Sequence, residues 1–269
     1  MRLITKVKNA DYWDEVAGDF QERPFHLDPF LGRLKRDAYL DLVRRWAPVQ
    51  ACGCVLKTDL FEEAFGPDTL APHLARDARR VVAFDISPRI ALQALRRSRG
   101  AGGSFLSGDA RALPFRSGIF DLIVSPSTLD HFPDPRDLGV SLRELHRVLK
   151  PGGRLLVSLD NRSNITAPLL LLAHRLGLVP FYLGSFYSPG QMRSELEQAG
   201  FKVEDMTAVV HTPRLMAVAA VGAARKIGWG FLRRLVERGL TALQRCERTR
   251  LRYLTGSFVA AVATKRDQF

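Results

Sequence analysis

The sequence predicts an α/β fold: a doubly wound, mostly parallel sheet with helices packed around it. Short β-branched or apolar runs recur at Cys54–Leu56, Val81–Phe84, Ser104–Leu106, Phe120–Val124 and Arg154–Leu159, and the segments between them have helical spacing. Strands alternating with helices of that length make βαβ units, whose crossovers are right-handed. Local signals agree. Ser87-Pro88 reads as an N-cap followed by proline in the first turn, and Pro151-Gly152-Gly153 stops a helix.

The elements follow in order. Residues 10–47 read as two helices, with Tyr12, Trp13, Val16 and Phe20 on one stripe and Leu34, Tyr39, Leu42, Val43 and Trp46 on the next. Ile90, Leu92 and Leu95 mark a helix over Pro88–Arg99; Leu138, Leu142, Leu145 and Leu149 mark another over Asp137–Leu149. Ser163–Leu183 is unusually apolar, Pro189–Ala199 is helical up to Gly200, and 201–211 and 256–264 read as the sixth and seventh strands. Residues 213–252 read as a helical hairpin turning at Gly228 and Gly230. These parts make one domain over 1–269, with an N-terminal helical cap (1–50), an apolar insertion (163–187) and a basic helical insertion (213–252).

Composition narrows the class. With 269 residues, 46% hydrophobic and 25% charged, the chain can bury a sizeable core, and general disorder is excluded. Cys52, Cys54 and Cys246 form no disulfide framework, and no nearby ligands complete a zinc site. No run reaches the roughly 18 apolar residues of a membrane span, and the basic start lacks a signal-peptide core, so a cytoplasmic protein is expected. The net charge of +12 first suggests nucleic acid or an anionic membrane. It is local, however: residues 214–252 hold ten basic and two acidic side chains, eight of the twelve net charges.

Ligands of open parallel sheets bind at the carboxyl ends of the strands. Asp85 ends the second strand, where a carboxylate can accept both hydroxyls of a ribose or simply cap the next helix. Asp109 ends the third, where it and the Ala110 amide can read an adenine edge or close a turn. The fourth element, FDLIVSPSTLDHFPDPRDLGVSLRELHRVLKPGGRLLVSLDN, is the most specific. Phe120-Asp121, Asp130-His131, Glu144 and Leu149-Lys150-Pro151-Gly152-Gly153 together resemble the class I S-adenosylmethionine-dependent methyltransferases, in particular their small-molecule branch. The likeness spans roughly residues 10–160.

That resemblance implies a Rossmann-like sheet of seven strands with an antiparallel last strand, and S-adenosyl-L-methionine as cofactor. It places ribose contacts at Asp85-Ile86, adenine contacts at Asp109-Ala110, a cofactor-covering helix at YWDEVAGDF and a further contact at Ser125. One segment departs from the family. Where a Gly-rich turn is expected, VLKTDLFEEAF has no glycine. Either Lys57, Thr58, Asp59 and Glu62 rebuild the turn, with Lys57 meeting the cofactor's carboxylate and Asp59 or Glu62 its ammonium, or the chain is a noncatalytic relative serving as a binding or scaffold protein.

Methyl transfer from a sulfonium is an in-line displacement in which the protein mainly aligns the partners. If the nucleophile is a hydroxyl it needs a base, and His131, oriented by Asp130, is the candidate; a His there also serves merely to line the cofactor. His26, His211, Tyr182 and Tyr187 are other polar groups able to reach a pocket. No metal is expected. The apolar insertion suits either a greasy pocket wall, fitting a small apolar or lipid-like acceptor, or a helix packed on the core. In the basic insertion Leu232, Leu235, Val236, Leu240 and Leu243 form a stripe opposite Arg234, Arg238, Arg245, Arg248 and Arg252. Such a helix suits a peripheral membrane contact, a large anionic substrate or a solvated face. An RNA methyltransferase is the weaker alternative, because the stripe lacks interleaved aromatics and no nucleic-acid-reading motif occurs.

Overall fold

The computed structural model describes residues 10–22, 28–49, 52–67, 69–98, 103–179 and 182–266. Its sheet comprises β1 (Cys54–Thr58), β2 (Arg80–Asp85), β3 (Ser104–Ser107), β4 (Phe120–Pro126), β5 (Leu149–Asp160), β6 (Phe201–Val209) and β7 (Phe258–Lys265). The order is β3-β2-β1-β4-β5-β7-β6. Strands β1 to β5 pair in parallel, and β7 runs antiparallel between β5 and β6. Every expected strand is present, the antiparallel last one included.

The helices are α1 (Ala10–Glu22), α2 (Pro29–Trp46), α3 (Phe61–Phe65), α4 (Ala71–Asp77), α5 (Pro88–Arg97), α6 (Arg136–Val148), α7 (Ala167–Arg175), α8 (Pro189–Gln198), α9 (Arg214–Ile227), α10 (Gly230–Leu243) and α11 (Arg252–Thr255). Residues 1–9 of the expected cap, and His26, lie outside the described residues. Alternate strand residues feed opposite faces, as a pleat requires. Leu56, Phe120, Ile123 and Leu155 pack with Leu142 and Leu145 of α6 and Met192 of α8. Val55, Leu122, Val124 and Leu156 pack with Tyr39, Leu42 and Val43 of α2 and Leu74 of α4. Burial on both faces explains why these strands read as continuous apolar runs.

Two caps set helices over the strand tips. Ser87 Oγ accepts from Ile90 N at 3.0 Å to start α5, and Asp28 Oδ1 accepts from Phe30 N at 2.8 Å to start α2. Such caps contribute roughly 1 kcal/mol each. The motif lysine lies at the other end of the sheet: Lys150 Nζ donates to Asp121 Oδ1 at 2.6 Å while Cys54 N donates to Asp121 Oδ2 at 2.7 Å. The most recognisable run of the sequence thus ties the starts of β1, β4 and β5, on the side away from the site.

The expected hairpin forms, with Gly228 at φ +72° closing α9. Its stripe is divided, however. Leu240 is buried and Val236 packs with it against Ala217 and Val221 of α9 and Phe30, Leu31 and Leu34 of α2, whereas Leu235 and Leu243 are exposed. The second arm also ends at Leu243, so Arg245, Arg248 and Arg252 do not continue its helical face.

Candidate active site

The strand order reverses between β1 and β4, and the crevice at such a reversal is where open α/β sheets bind ligands. A cleft of about 550 Å³ opens there, with Asp59, Glu62, Asp85, Ile86, Asp109, Ala110 and His131 on its wall. Lys57, Thr58 and Ser125 are buried behind that wall. Asp59, Ser127 and Val210, the non-glycine residues with left-handed φ among those described (67°, 47° and 58°), all face the cleft. Backbone strain of this kind persists where surrounding structure enforces it, and it concentrates at functional sites.

The turn after β1 is rebuilt around an ion pair. Lys57 Nζ donates to Glu63 Oε2 at 2.9 Å and to the carbonyl of Asp59, and both charged side chains are almost wholly buried. Glu63 Oε1 accepts from Ala71 N at 2.9 Å. With its donors used internally, Lys57 holds the turn and does not project into the cleft. Glu62 does line the cleft and is paired with Lys35 Nζ at 3.0 Å. Thr58 Oγ1 bridges Ser125 Oγ and Thr128 Oγ1, each at 2.9 Å, locking the tip of β1 to that of β4.

At the tip of β2, Asp85 accepts from Leu60 N and Ser87 N, both at 2.9 Å. Burial, aided by the nearby charge of Asp59, pushes its carboxyl up to about 7. Asp14 of α1 accepts from Ser87 Oγ, fastening the covering helix, and Trp13 and Phe20 close that side of the cleft. Asp109 is gripped by Arg111, whose Nε lies 3.0 Å from both carboxylate oxygens and whose Nη1 reaches Asp137 at 2.8 Å. Burial opposes its charge, but the hydrogen bonds from Arg111 prevail and hold the carboxyl below its ordinary range. The Ala110 amide makes no hydrogen bond among the described residues, and Ala110 lines the cleft.

Beneath the other half lies a buried polar chain. Tyr39 Oη meets Ser158 Oγ at 2.7 Å, Ser158 Oγ accepts from Ser127 N at 3.0 Å, and Ser127 Oγ donates to Asp130 Oδ2 at 3.2 Å. Asp160 N donates to the same oxygen at 2.6 Å, and the carboxylate of Asp160 receives Arg214. Burial raises Asp130 to about 6. Gly184, at φ +73°, fits this chain to the apolar insertion: a Cβ there would lie 1.9 Å from the Asp130 carbonyl oxygen. Asp130 does not orient His131 by a hydrogen bond. The imidazole Nδ1 has no partner among the described residues, and the ring sits edge-on to Trp13 at 5.7 Å.

Beyond His131 the cleft turns apolar, walled by Leu170, Leu183, Val210, Leu215, Val218 and Phe258. Arg214 lies over the Phe258 ring at 4.4 Å. His211 is buried elsewhere, bonded to Thr255 Oγ1 and the Ala208 carbonyl. Tyr187 belongs to the core, and Tyr182 packs beside Tyr12, whose hydroxyl accepts from Tyr182 N at 2.8 Å. Among the described residues no cluster of metal-ligating side chains occurs. Sequence reasoning missed Lys35, Arg111 and Arg214, whereas Trp13 lies on the helix expected to cover the cofactor. Only Arg111, two residues from Asp109, lay close enough in the chain to be noticed.

Comparison with known proteins agrees with this fold. Residues 62–157 match the family model described as a methyltransferase domain. The chain is 30% identical to the demethylmenaquinone methyltransferase of Beutenbergia cavernae, over 78% of its own length and 81% of that protein. It is 26% identical to the ubiquinone biosynthesis O-methyltransferase of Xanthomonas axonopodis, over 55% of its own length and 64% of that protein. With several such relatives the match spans less than two thirds of the relative's length. Two solved structures share the fold. A SAM-dependent methyltransferase of Thermotoga maritima has a TM-score of 0.57 at 19% identity, covering 96% of this chain and 97% of that one. The cyclase SpnF has a TM-score of 0.56 at 20% identity, covering 88% and 81%. The chain belongs to the class I S-adenosylmethionine-dependent methyltransferases.

The residues at the strand tips fit that family's cofactor. A buried carboxylate at β2 suits a ribose diol, a carboxylate beside an unclaimed amide suits an adenine edge, and Asp59 with Glu62 suits a cation.

Proposed function

We propose that the chain transfers a methyl group from S-adenosylmethionine to a small, apolar acceptor of the quinone type. The observation carrying this reading is the two-part cleft, acidic and hydrogen-bonding at the tips of β1 to β3 and apolar between α7 and α9. In this reading Asp85 and the Ile86 backbone hold the ribose, Asp109 and Ala110 the adenine, and Asp59 with Glu62 the ammonium. Lys57, Thr58 and Ser125 act from behind by fixing the turn. When bound, the cofactor supplies an electrophilic methyl group. His131, which lines the cleft, takes the proton if the acceptor attacks through a hydroxyl. The curated relatives named above as quinone-pathway methyltransferases support the acceptor class.

An acceptor with an apolar tail partitions into bilayers, and the basic insertion supports a peripheral contact from the cytoplasmic side. Among the described residues no helix is long and apolar enough to cross a membrane.

The test is calorimetric titration with S-adenosylmethionine, followed by mass spectrometry of quinols of graded tail length offered as acceptors. Micromolar cofactor binding and methylation that improves with tail length are expected. Absence of cofactor binding at millimolar concentration would instead establish the noncatalytic reading, which the glycine-free, ion-paired turn after β1 favours. The cyclase with this fold illustrates that architecture does not fix chemistry.

A further inference from the structure

The apolar insertion is greasy on two sides. Ala167, Leu170 and Ala173 face inward from α7 and are buried. Ile165, Leu169, Leu172 and Leu176, spaced four, three and four apart, share the opposite face of α7 and its flanks. They are 68%, 48%, 51% and 65% exposed. Four large aliphatic side chains in one outward row form a patch that a soluble monomer rarely leaves in water.

The row is continuous with the cleft. Leu169 and Leu170 of α7 share a shallow groove with Leu215 and Met216 of α9. Leu178, just past α7, and Val218 of α9 are exposed and also line the cleft itself. Following α9 away from this mouth leads to a second outward surface. Trp229 and Phe231 are 69% and 72% exposed, and Leu235 is exposed one turn further on. On the same hairpin, Arg234, Arg238 and Arg245 line one groove with Phe30 and Glu237.

We propose that α7 and the α9–α10 hairpin seat this protein on an anionic lipid bilayer, with the α7 row immersed among acyl chains at the mouth of the cleft. The charge argues for lipid over a second copy of the chain. Residues 214–252 carry ten basic and two acidic side chains, so two such surfaces repel each other, whereas anionic headgroups attract them. An exposed Trp beside arginines is the composition that settles at headgroup depth. The surface differs from the one the sequence suggests, because the apolar stripe of α10 is partly spent on α9 and α2. If the acceptor is the apolar molecule proposed above, on which this last point rests, it enters between Leu178 and Val218 sideways from the bilayer without crossing water.

Flotation of the full chain with vesicles, in the absence of cofactor and acceptor, tests the seating independently of catalysis. The chain is expected to float with equimolar phosphatidylcholine and phosphatidylglycerol and only weakly with phosphatidylcholine alone. The double variant Leu172→Asp/Leu176→Asp changes residues outside the cleft; it should lower the bound fraction roughly tenfold or more, with an unchanged circular dichroism melt. Arg234→Glu/Arg238→Glu should abolish the preference for phosphatidylglycerol. The proposal is overturned if the chain stays in solution with both vesicles, or if the Asp variants float like the parent. It is equally overturned if sedimentation velocity without lipid shows a dimer that the Asp variants convert to monomer. Cofactor binding measured by calorimetry reports on the methyltransferase reading alone, so failure of either leaves the other standing.

Discussion

The two ends of the cleft are built on opposite principles. At the cofactor end each acidic side chain is fixed by partners: Asp85 by two backbone amides, Asp109 by Arg111, and Glu62 by Lys35. These groups stand on strand tips and the short turns that follow them. At the end proposed to hold the acceptor the walls come largely from α7, α9 and the start of β7, and the lining is apolar apart from Thr212 and Arg214. A polar ligand needs preorganised partners, because each misplaced buried group loses its hydrogen bonds. An apolar ligand needs volume and exclusion of water, which inserted helices provide without directional constraints. The contrast separates a rigid, chemically specific half from one whose selectivity rests on shape.

The comparison is sharpened most by Lys57. If the pair with Glu63 holds the rigid half together, Lys57→Met strands a buried carboxylate and lowers stability by about 3–5 kcal/mol. Urea denaturation should show this, with much of the loss recovered in Lys57→Met/Glu63→Gln. A near-neutral Lys57→Met would mean that the turn is held some other way. Next is Asp85→Asn, expected to weaken cofactor binding roughly a hundredfold, since charged hydrogen bonds to amides and ribose are lost together. Calorimetry would break the comparison if affinity were unchanged.

A pH series follows. Asp85 is raised to about 7, so its ionised form, proposed to accept the ribose hydroxyls, is depleted below that value, and cofactor affinity should fall by up to roughly tenfold per unit of acidification. The sign for folding is opposite. A carboxyl raised in the folded state takes up its proton there first, so its contribution to stability is present at low pH and lost as pH rises through about 7. Asp130, raised to about 6, acts in the same direction. Thermal melts of the cofactor-free chain should therefore decline across this window, less steeply in Asp85→Asn. The smallest effect belongs to the apolar half. Leu215→Ala should raise the KM for acceptor roughly fivefold and leave cofactor affinity untouched. An equal loss in both would show that the halves are not separable.

Much of the fold was legible because hydrophobic period and helix punctuation are local signals. The seven strands, the Ser87 cap and the turn at Gly228 all stand where those signals put them. Asp85, Ile86, Asp109 and Ala110 were legible as strand-tip residues of a recognisable family, and they do face the cleft. What sequence could not show is where long side chains end. Lys57 sits on the strand expected to serve the cofactor, yet its ammonium turns back to Glu63, a choice set by burial. Lys35 meets Glu62 at a sequence separation of 27 and Arg214 meets Asp160 at a separation of 54, with no periodicity to announce either. The Leu240 stripe was correctly seen as apolar, but pattern alone could not decide between a lipid and a neighbouring helix.

The placement of β7 gives the two halves different birthdays. Strands β1 to β5 find their neighbours in an order the growing chain can satisfy as it is made, and they carry the acidic tips. Among the described residues strand β6 pairs only with β7, and β7 is synthesised after both arms of the hairpin. Phe258, its first residue, is also the floor under Arg214. During vectorial synthesis the acidic strand tips can therefore close while the apolar wall is still missing, and the late antiparallel strand, which is slow to find its partners because of its sequence separation, decides when the greasy compartment comes into being.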